Sequence, residues 1–103
     1  MVKRLPVVDC AQRLRVLADD TRLAVLRKLL SGPHSVAELN VDLHLEPSLL
    51  SHHLRTLREA RLVEARRQGK SVRYALAPGV KFSASGAGLD LGCCRLTFEA
   101  DHR

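Results

Sequence analysis

Residues 47–63 read PSLLSHHLRTLREARLV. Leu50, Leu54 and Leu57 recur at i, i+4 and i+7, the spacing that puts three side chains on one face of an α-helix. Pro47 suits the first turn of that helix, where its missing N–H costs nothing. The pattern predicts a helix that buries its leucines and turns Ser48, Ser51, His52, Arg55 and Arg58 outward. Hydroxyl, imidazole and guanidinium groups are the ones that bond base edges and phosphate oxygens. A solvated helix face carries the same residue types, so the neighbouring segments must decide between the two.

Upstream, Val36, Leu39 and Leu43 predict a short helix opened by SVAE, in which Ser35 and Glu38 can form a capping box. The few residues between it and Pro47 read as a tight turn. Leu23, Leu26, Leu29 and Leu30 line an earlier helix, capped by Asp19 or Asp20 and stopped by SGP at 31–33. Val8, Ala11, Leu14 and Leu17 predict a first helix before it. Downstream, the period changes from helical to alternating: Val63 and Ala65 against Glu64 and Arg66, a turn at QGK, then Val72, Tyr74 and Leu76. That is a β-hairpin. It carries Arg66, Arg67, Gln68, Lys70 and Arg73, with Glu64 as the nearby opposing charge. Helix, helix, short helix, turn, helix and basic hairpin is the order of a winged helix-turn-helix, mainly α with a β-hairpin wing.

Charge agrees with that order. In 103 residues, Lys and Arg outnumber Asp and Glu by 17 to 11, a net +6, which favours a polyanionic partner and makes nucleic acid the first candidate. Aromatic residues are 3% of the chain, few rings for stacking on single-stranded bases, so a duplex fits better. The length allows one domain with a modest core. No apolar run approaches the roughly 18 residues that cross a bilayer, and the start, MVKRLPVVDCAQRLR, lacks the long apolar core of a signal peptide. These features predict no membrane partner and a cytoplasmic location. Thiols stay reduced there, so Cys10, Cys93 and Cys94 argue against a disulfide framework and leave metal binding, redox chemistry or burial.

LADDTRLAVLRKLL, followed by SVAEL, LLSHHLRTLREARLV and GKSVRYAL, resembles the ArsR/SmtB family of small dimeric, effector-responsive transcriptional repressors over residues 8–76. The resemblance implies a winged-helix homodimer that occupies a palindromic, double-stranded operator and leaves it when an effector binds. It also places Ser48, Ser51, His52 and Arg55 on the DNA-reading helix, and Gly69 and Lys70 at the tip of the wing. The family's familiar effector sites do not carry over. One arsenic-sensing pattern has two cysteines before the DL of the third helix, where this chain has SVAEL. The zinc pattern needs Asp and His on a long C-terminal helix, and after Leu76 comes the flexible-looking SASGAG and a strand-like LDLGCCRLTFE instead. The expected organisation is a DNA-binding domain over residues 1–77 and a cysteine-bearing extension over residues 78–103 in place of the usual last helix. Dimerisation then rests on the first helix, with the extension as a second candidate.

Cys93 and Cys94 are the remaining candidates for chemistry. A vicinal pair cannot easily close a relaxed disulfide, but two thiolates can hold one large soft ion, and Cys10 could complete a three-sulfur site. Three thiolates favour As(III) or a related soft ion; His102 as a fourth ligand would open a tetrahedral Zn or Cd alternative. Thiol redox or persulfide sensing is a second reading, in which Cys10 with either C-terminal cysteine is the non-vicinal pairing available. Burial as small apolar side chains, in a regulator with no effector, is the third. Adjacent His52 and His53 point about 100° apart on a helix and do not converge on one ion. Ser51 beside His52 lacks an orienting acid and a pocket, so no enzyme is expected. A thiol-dependent metal carrier or enzyme would need the cysteines and tolerate neutralisation of Arg55, Lys70 and Arg73, whereas a repressor would lose DNA binding on that change. A winged-helix protein-interaction module would bind duplex DNA weakly, and modest salt would abolish the binding.

Overall fold

The computed structural model describes residues 7–82 and 87–99. Four helices come first, α1 (Val7–Leu17), α2 (Asp20–Leu29), α3 (Val36–Leu43) and α4 (Pro47–Glu59), with the two-residue strand β1 (His34–Ser35) ahead of α3. The hairpin β2 (Val63–Gln68) and β3 (Ser71–Leu76) follows, and then three short strands, β4 (Lys81–Phe82), β5 (Gly88–Asp90) and β6 (Arg95–Thr97). The fold is a winged helix, mainly helical with an antiparallel β-hairpin wing, as the sequence pattern predicts.

The helix ends follow their local chemistry. Asp19 caps α2, its carboxylate accepting from the Arg22 N–H at 2.9 Å. Ser35 and Glu38 close the predicted capping box on α3: the Glu38 N–H donates to Ser35 Oγ at 3.1 Å and the Ser35 N–H to Glu38 Oε1 at 2.9 Å. Pro47 is at the start of α4. His44 ends α3 in the left-handed region at φ 54°. Asn40 then clamps the bend towards α4, its Nδ2 donating to the Leu45 carbonyl at 2.9 Å and its Oδ1 accepting from the Leu45 N–H at 2.8 Å.

One core runs through the whole fold. Leu26, Leu29, Leu39, Leu50, Leu54, Leu57 and Leu62 are buried in the same cluster as Val80, Leu89 and Leu91 from beyond the wing. The helical periods therefore converge on one interior, whose apolar burial is worth roughly 1.5–3 kcal/mol per large side chain. Leu14 departs from the pattern. Expected on the apolar face of α1, it is 44% exposed, whereas Leu17 joins the core.

The tail is strand-like, as expected, and is divided into three short strands. Its described part forms a separate antiparallel sheet in the order β4-β5-β6, with Leu89 opposite both Lys81 and Leu96. SASG, residues 83–86 of the SASGAG stretch, lies outside the described residues. Two features hid the sheet from periodicity: its strands are two or three residues long, too short to show alternation, and the GCC segment is a turn. Leu91 N–H donates to the Cys94 carbonyl at 2.9 Å around Gly92 and Cys93. Gly92 sits at φ 88°, a left-handed backbone conformation that favours glycine. Gly88 permits close packing beneath it; a Cβ there would lie 2.8 Å from the Phe82 ring. The sheet is fastened to the rest by backbone and by cations on rings: the Asp90 N–H donates to the Val80 carbonyl, and Arg27 of α2 stacks 4.9 Å above the Phe98 ring.

Candidate nucleic-acid interface and cysteine cluster

On α4, Leu50, Leu54 and Leu57 are buried, and Ser48, Ser51, His52, Arg55 and Arg58 are exposed. Ser48, Ser51, His52 and Arg55 share one face by their i, i+3, i+4 and i+7 spacing. The paired histidines part as helical geometry requires. His52 is in solvent, whereas His53 is only 12% exposed and points to α2, its Nδ1 lying 3.2 Å from Arg22 NH1 and 3.8 Å from Asp19 Oδ2. Arg22 also donates through Nε to the Val16 carbonyl at 2.7 Å. One guanidinium thus ties the end of α1, the start of α2 and the back of α4 together, fixing the angle at which the polar face is presented. The Arg22 N–H bond, followed by the nearby Arg22 and His53 charges, holds the Asp19 carboxyl below the usual carboxylate range. Sequence periodicity missed this clamp. Its signal is present in DDTR, an N-cap followed three residues later by a long donor.

The wing carries its charge unevenly. Arg66 and Arg73 are directly opposite in the β2–β3 register, a repulsive arrangement for like charges. Each has its own carboxylate: Arg66 Nε is 2.7 Å from Glu64 Oε2, and Arg73 NH2 is 3.4 Å from Glu38 Oε1. Glu38 is held below its ordinary pKa by the Ser35 backbone N–H first, and then by the charges of Arg73 and His34. Arg67, Gly69 and Lys70 are exposed, and neither Arg67 nor Lys70 makes an ion pair among the described residues. Gly69, at φ 62°, makes the tip turn between the paired Gln68 and Ser71. The two ends of the proposed wing contact therefore differ, a free cationic tip and a neutralised base.

The three cysteines come together. Cys10 on α1 and Cys93 in the β5–β6 turn are joined by a disulfide, with Cα atoms 5.9 Å apart. Cys94, a free thiol, has its Sγ 3.9 Å from that of Cys10 and 3.7 Å from that of Cys93. All three side chains are half-buried and all three sulfurs lie within 4.8 Å of one another. The bond goes against the expectation of no disulfide framework, and it is one of the two non-vicinal pairings, Cys10 with either tail cysteine, that the redox reading leaves available. The count of cysteines carried no information on distance, and the bend at Gly92 and Cys93 delivers Cys93 to α1, while a relaxed vicinal bond stays closed to it. Cys94 and Cys93 also lie on a turn rather than in an alternating strand, so both can face Cys10. Arg13, one helical turn after Cys10, secures this docking by donating to the Leu91 carbonyl at 3.1 Å. The Asp90 carboxylate accepts from the Gly92 N–H at 2.9 Å and lies 3.4 Å from Arg95 Nε. His102 lies outside the described residues. No helix among the described residues is long and apolar enough to cross a membrane.

The donor set suits a soft trigonal ion. Metal–sulfur bonds of roughly 2.3 Å put ligating sulfurs about 3.8–4.0 Å apart at tetrahedral or trigonal angles. Of the two non-bonded separations, 3.9 Å falls within that span and 3.7 Å just below it. Opening the Cys10–Cys93 bond would supply the third edge.

Residues 19–65 match the family model described as "Bacterial regulatory protein, arsR family". The chain is 41% identical over 66 residues to the HTH-type transcriptional regulator NmtR of Mycobacterium tuberculosis, a match covering 64% of this chain and 55% of that one. The chain spans between about half and three fifths of the length of the curated relatives it matches. Among solved structures, reduced HlyU from Vibrio cholerae superposes with a TM-score of 0.65 at 37% identity, covering 69% of this chain and 75% of that one. The homodimeric winged helix-turn-helix DNA-binding domain of a Mycobacterium bovis protein superposes at 0.64 with 30% identity, covering 69% and 66%. The family match runs from the cap of α2 through α4 to the first residues of the wing, and on the strength of these similarities the chain belongs to the ArsR/SmtB family of winged-helix transcriptional regulators.

Proposed function

We propose that this chain is a homodimeric, sequence-specific transcriptional repressor that releases its operator when a thiophilic ion is bound by Cys10, Cys93 and Cys94. The convergence of three sulfurs from α1 and the tail turn within 4.8 Å carries the reading. As(III), which takes three thiolates, is the first candidate; Cd and Zn, which favour a fourth ligand, come second. Residues 1–77 supply the DNA contacts and residues 78–103 the sensing element. Ser48, Ser51 and His52 meet base edges or phosphates, Arg55 and Arg58 flank them, and Arg66, Arg67, Gly69, Lys70 and Arg73 bring the wing to the backbone of the duplex. The exposed Leu14 on α1 and the homodimeric state of the similar M. bovis domain support pairing through α1. The family's regulatory character supports a binding role over an enzymatic one.

Release needs only that the ion favour the poorly docking conformation by a few kcal/mol, about tenfold in affinity per 1.4 kcal/mol. The test is operator binding by the reduced protein, titrated with As(III), Cd(II), Zn(II) and a persulfide donor, beside a Cys93→Ser, Cys94→Ser double variant. Release of the wild type by As(III), with the variant still bound, is the expected result. Tight binding unaffected by any of them would leave a DNA-binding regulator with no sensor at these cysteines. The Cys10–Cys93 bond favours a second reading, in which thiol oxidation is itself the signal; release on oxidation in the absence of any ion would identify it.

A further inference from the structure

We propose that the soft-ion site is redox-gated, with Cys10 as the residue on which both chemistries converge. The inference rests on the ion-sensing reading and adds its regulation. Each ligating sulfur must be a thiolate, and a disulfide sulfur is not one. Joining Cys10 to Cys93 therefore consumes two of the three ligands and leaves Cys94 alone.

Geometry decides which bond can form. Cys93 and Cys94 share a trans peptide whose Cα atoms are about 3.8 Å apart, below the range a relaxed disulfide spans, whereas Cys10 and Cys93 lie within it at 5.9 Å. Cys94 Sγ sits 3.9 Å from Cys10 Sγ, so its thiolate can attack the Cys10 sulfur, forming a Cys10–Cys94 bond and expelling the Cys93 thiolate. Either bond occupies Cys10. Every oxidised form thus lacks the α1 ligand, and no exchange between the two tail cysteines rebuilds the three-sulfur site.

The oxidant is a hydroperoxide. A thiolate of the pair attacks one peroxide oxygen, the O–O bond breaks, and a sulfenic acid and an alcohol or water result. The second thiol then attacks the sulfenic sulfur, the S–S bond forms and water leaves. Two thiols lose two electrons, and the peroxide gains them. Two equivalents of a small thiol reverse the step through a mixed disulfide. The protein then answers to a thiophile only while its thiols are reduced.

The test uses the full chain in two preparations, fully reduced and oxidised with one equivalent of hydrogen peroxide, with the bonded pair assigned by alkylation and mass spectrometry. As(III) binding is followed by near-ultraviolet sulfur–arsenic absorbance and by intact mass. The reduced chain is expected to take one As(III). The oxidised chain should bind it about a hundredfold more weakly or not at all, and a phosphine reductant should restore binding. Cys10→Ser, checked for folding by circular dichroism, should form neither cross-link and bind weakly in both preparations. Equal binding by oxidised and reduced protein overturns the gate and leaves the ion site standing. An oxidised product with no bond to Cys10 also overturns it. Failure of the reduced chain to bind As(III), whatever the oxidised chain does, refutes the ion-sensing reading itself.

Discussion

Breaking the Cys10–Cys93 bond should lower the stability of the fold by an amount that follows from where it closes the chain. The two residues are 83 positions apart, so the bond holds most of the unfolded chain in one closed loop and forbids its open conformations. On the chain-entropy estimate, such a loop is worth about 4.5 kcal/mol at room temperature. Measured values fall at or below that figure, typically about 2–4 kcal/mol, and for a domain of this size each kcal/mol moves Tm by roughly 4–8 °C. Thermal unfolding followed by far-ultraviolet circular dichroism, on peroxide-oxidised protein with and without a phosphine reductant, should show the reduced form melting about 10 °C or more lower. Cys10→Ser should melt near the reduced wild type and ignore the reductant. Coincident melting of oxidised and reduced wild type would refute the reasoning: it would mean that Cys10 and Cys93 are not bonded in solution, or that the bond gains nothing from closing the loop. Mass analysis of the same samples separates those two.

Three further outcomes follow from other parts of the molecule. Lys70→Ala and Arg67→Ala should each lower the slope of log K against log salt for operator DNA by about 0.9; Arg66→Ala, whose side chain is paired with Glu64, should lower it less, as measured by fluorescence anisotropy over a salt series. Gly88→Ala should destabilise by about 1–3 kcal/mol in urea unfolding, since its Cβ would lie 2.8 Å from the Phe82 ring and 3.2 Å from the Leu96 carbonyl oxygen. Asp19 has its pKa lowered on folding; its contribution is present above the unfolded value of about 4 and is lost as pH falls through the lower folded one. Asp19→Ala should therefore cost about 1 kcal/mol at neutral pH and flatten the acid limb of a stability–pH curve.

Much of the helical half and the wing was legible without coordinates. Leu50, Leu54 and Leu57 specify a helix and its buried side because a period of 3.6 is a local property of the chain. Ser35 and Glu38 specify a helix start because the capping box closes within four residues. The same locality fails for the tail. Strands of two and three residues carry no period, and the bend at Gly92 and Cys93 looks in sequence like part of one longer strand. Arg66 and Arg73 likewise look like equal members of a basic hairpin until the register sets them face to face and gives each a carboxylate.

By itself the sequence determined the helices, the wing, their order, and the polar residues that α4 turns outward, all of which follow from contacts between residues close along the chain. It also named the three cysteines. Only the tertiary structure decided that they meet, since Cys10 and Cys93 are 83 residues apart and their encounter depends on how the β5–β6 turn docks against α1, held by the Arg13 bond to Leu91 and by Leu89 and Leu91 in the common core. Periodicity reports which side of an element is apolar; it holds no record of which distant element that side will cover.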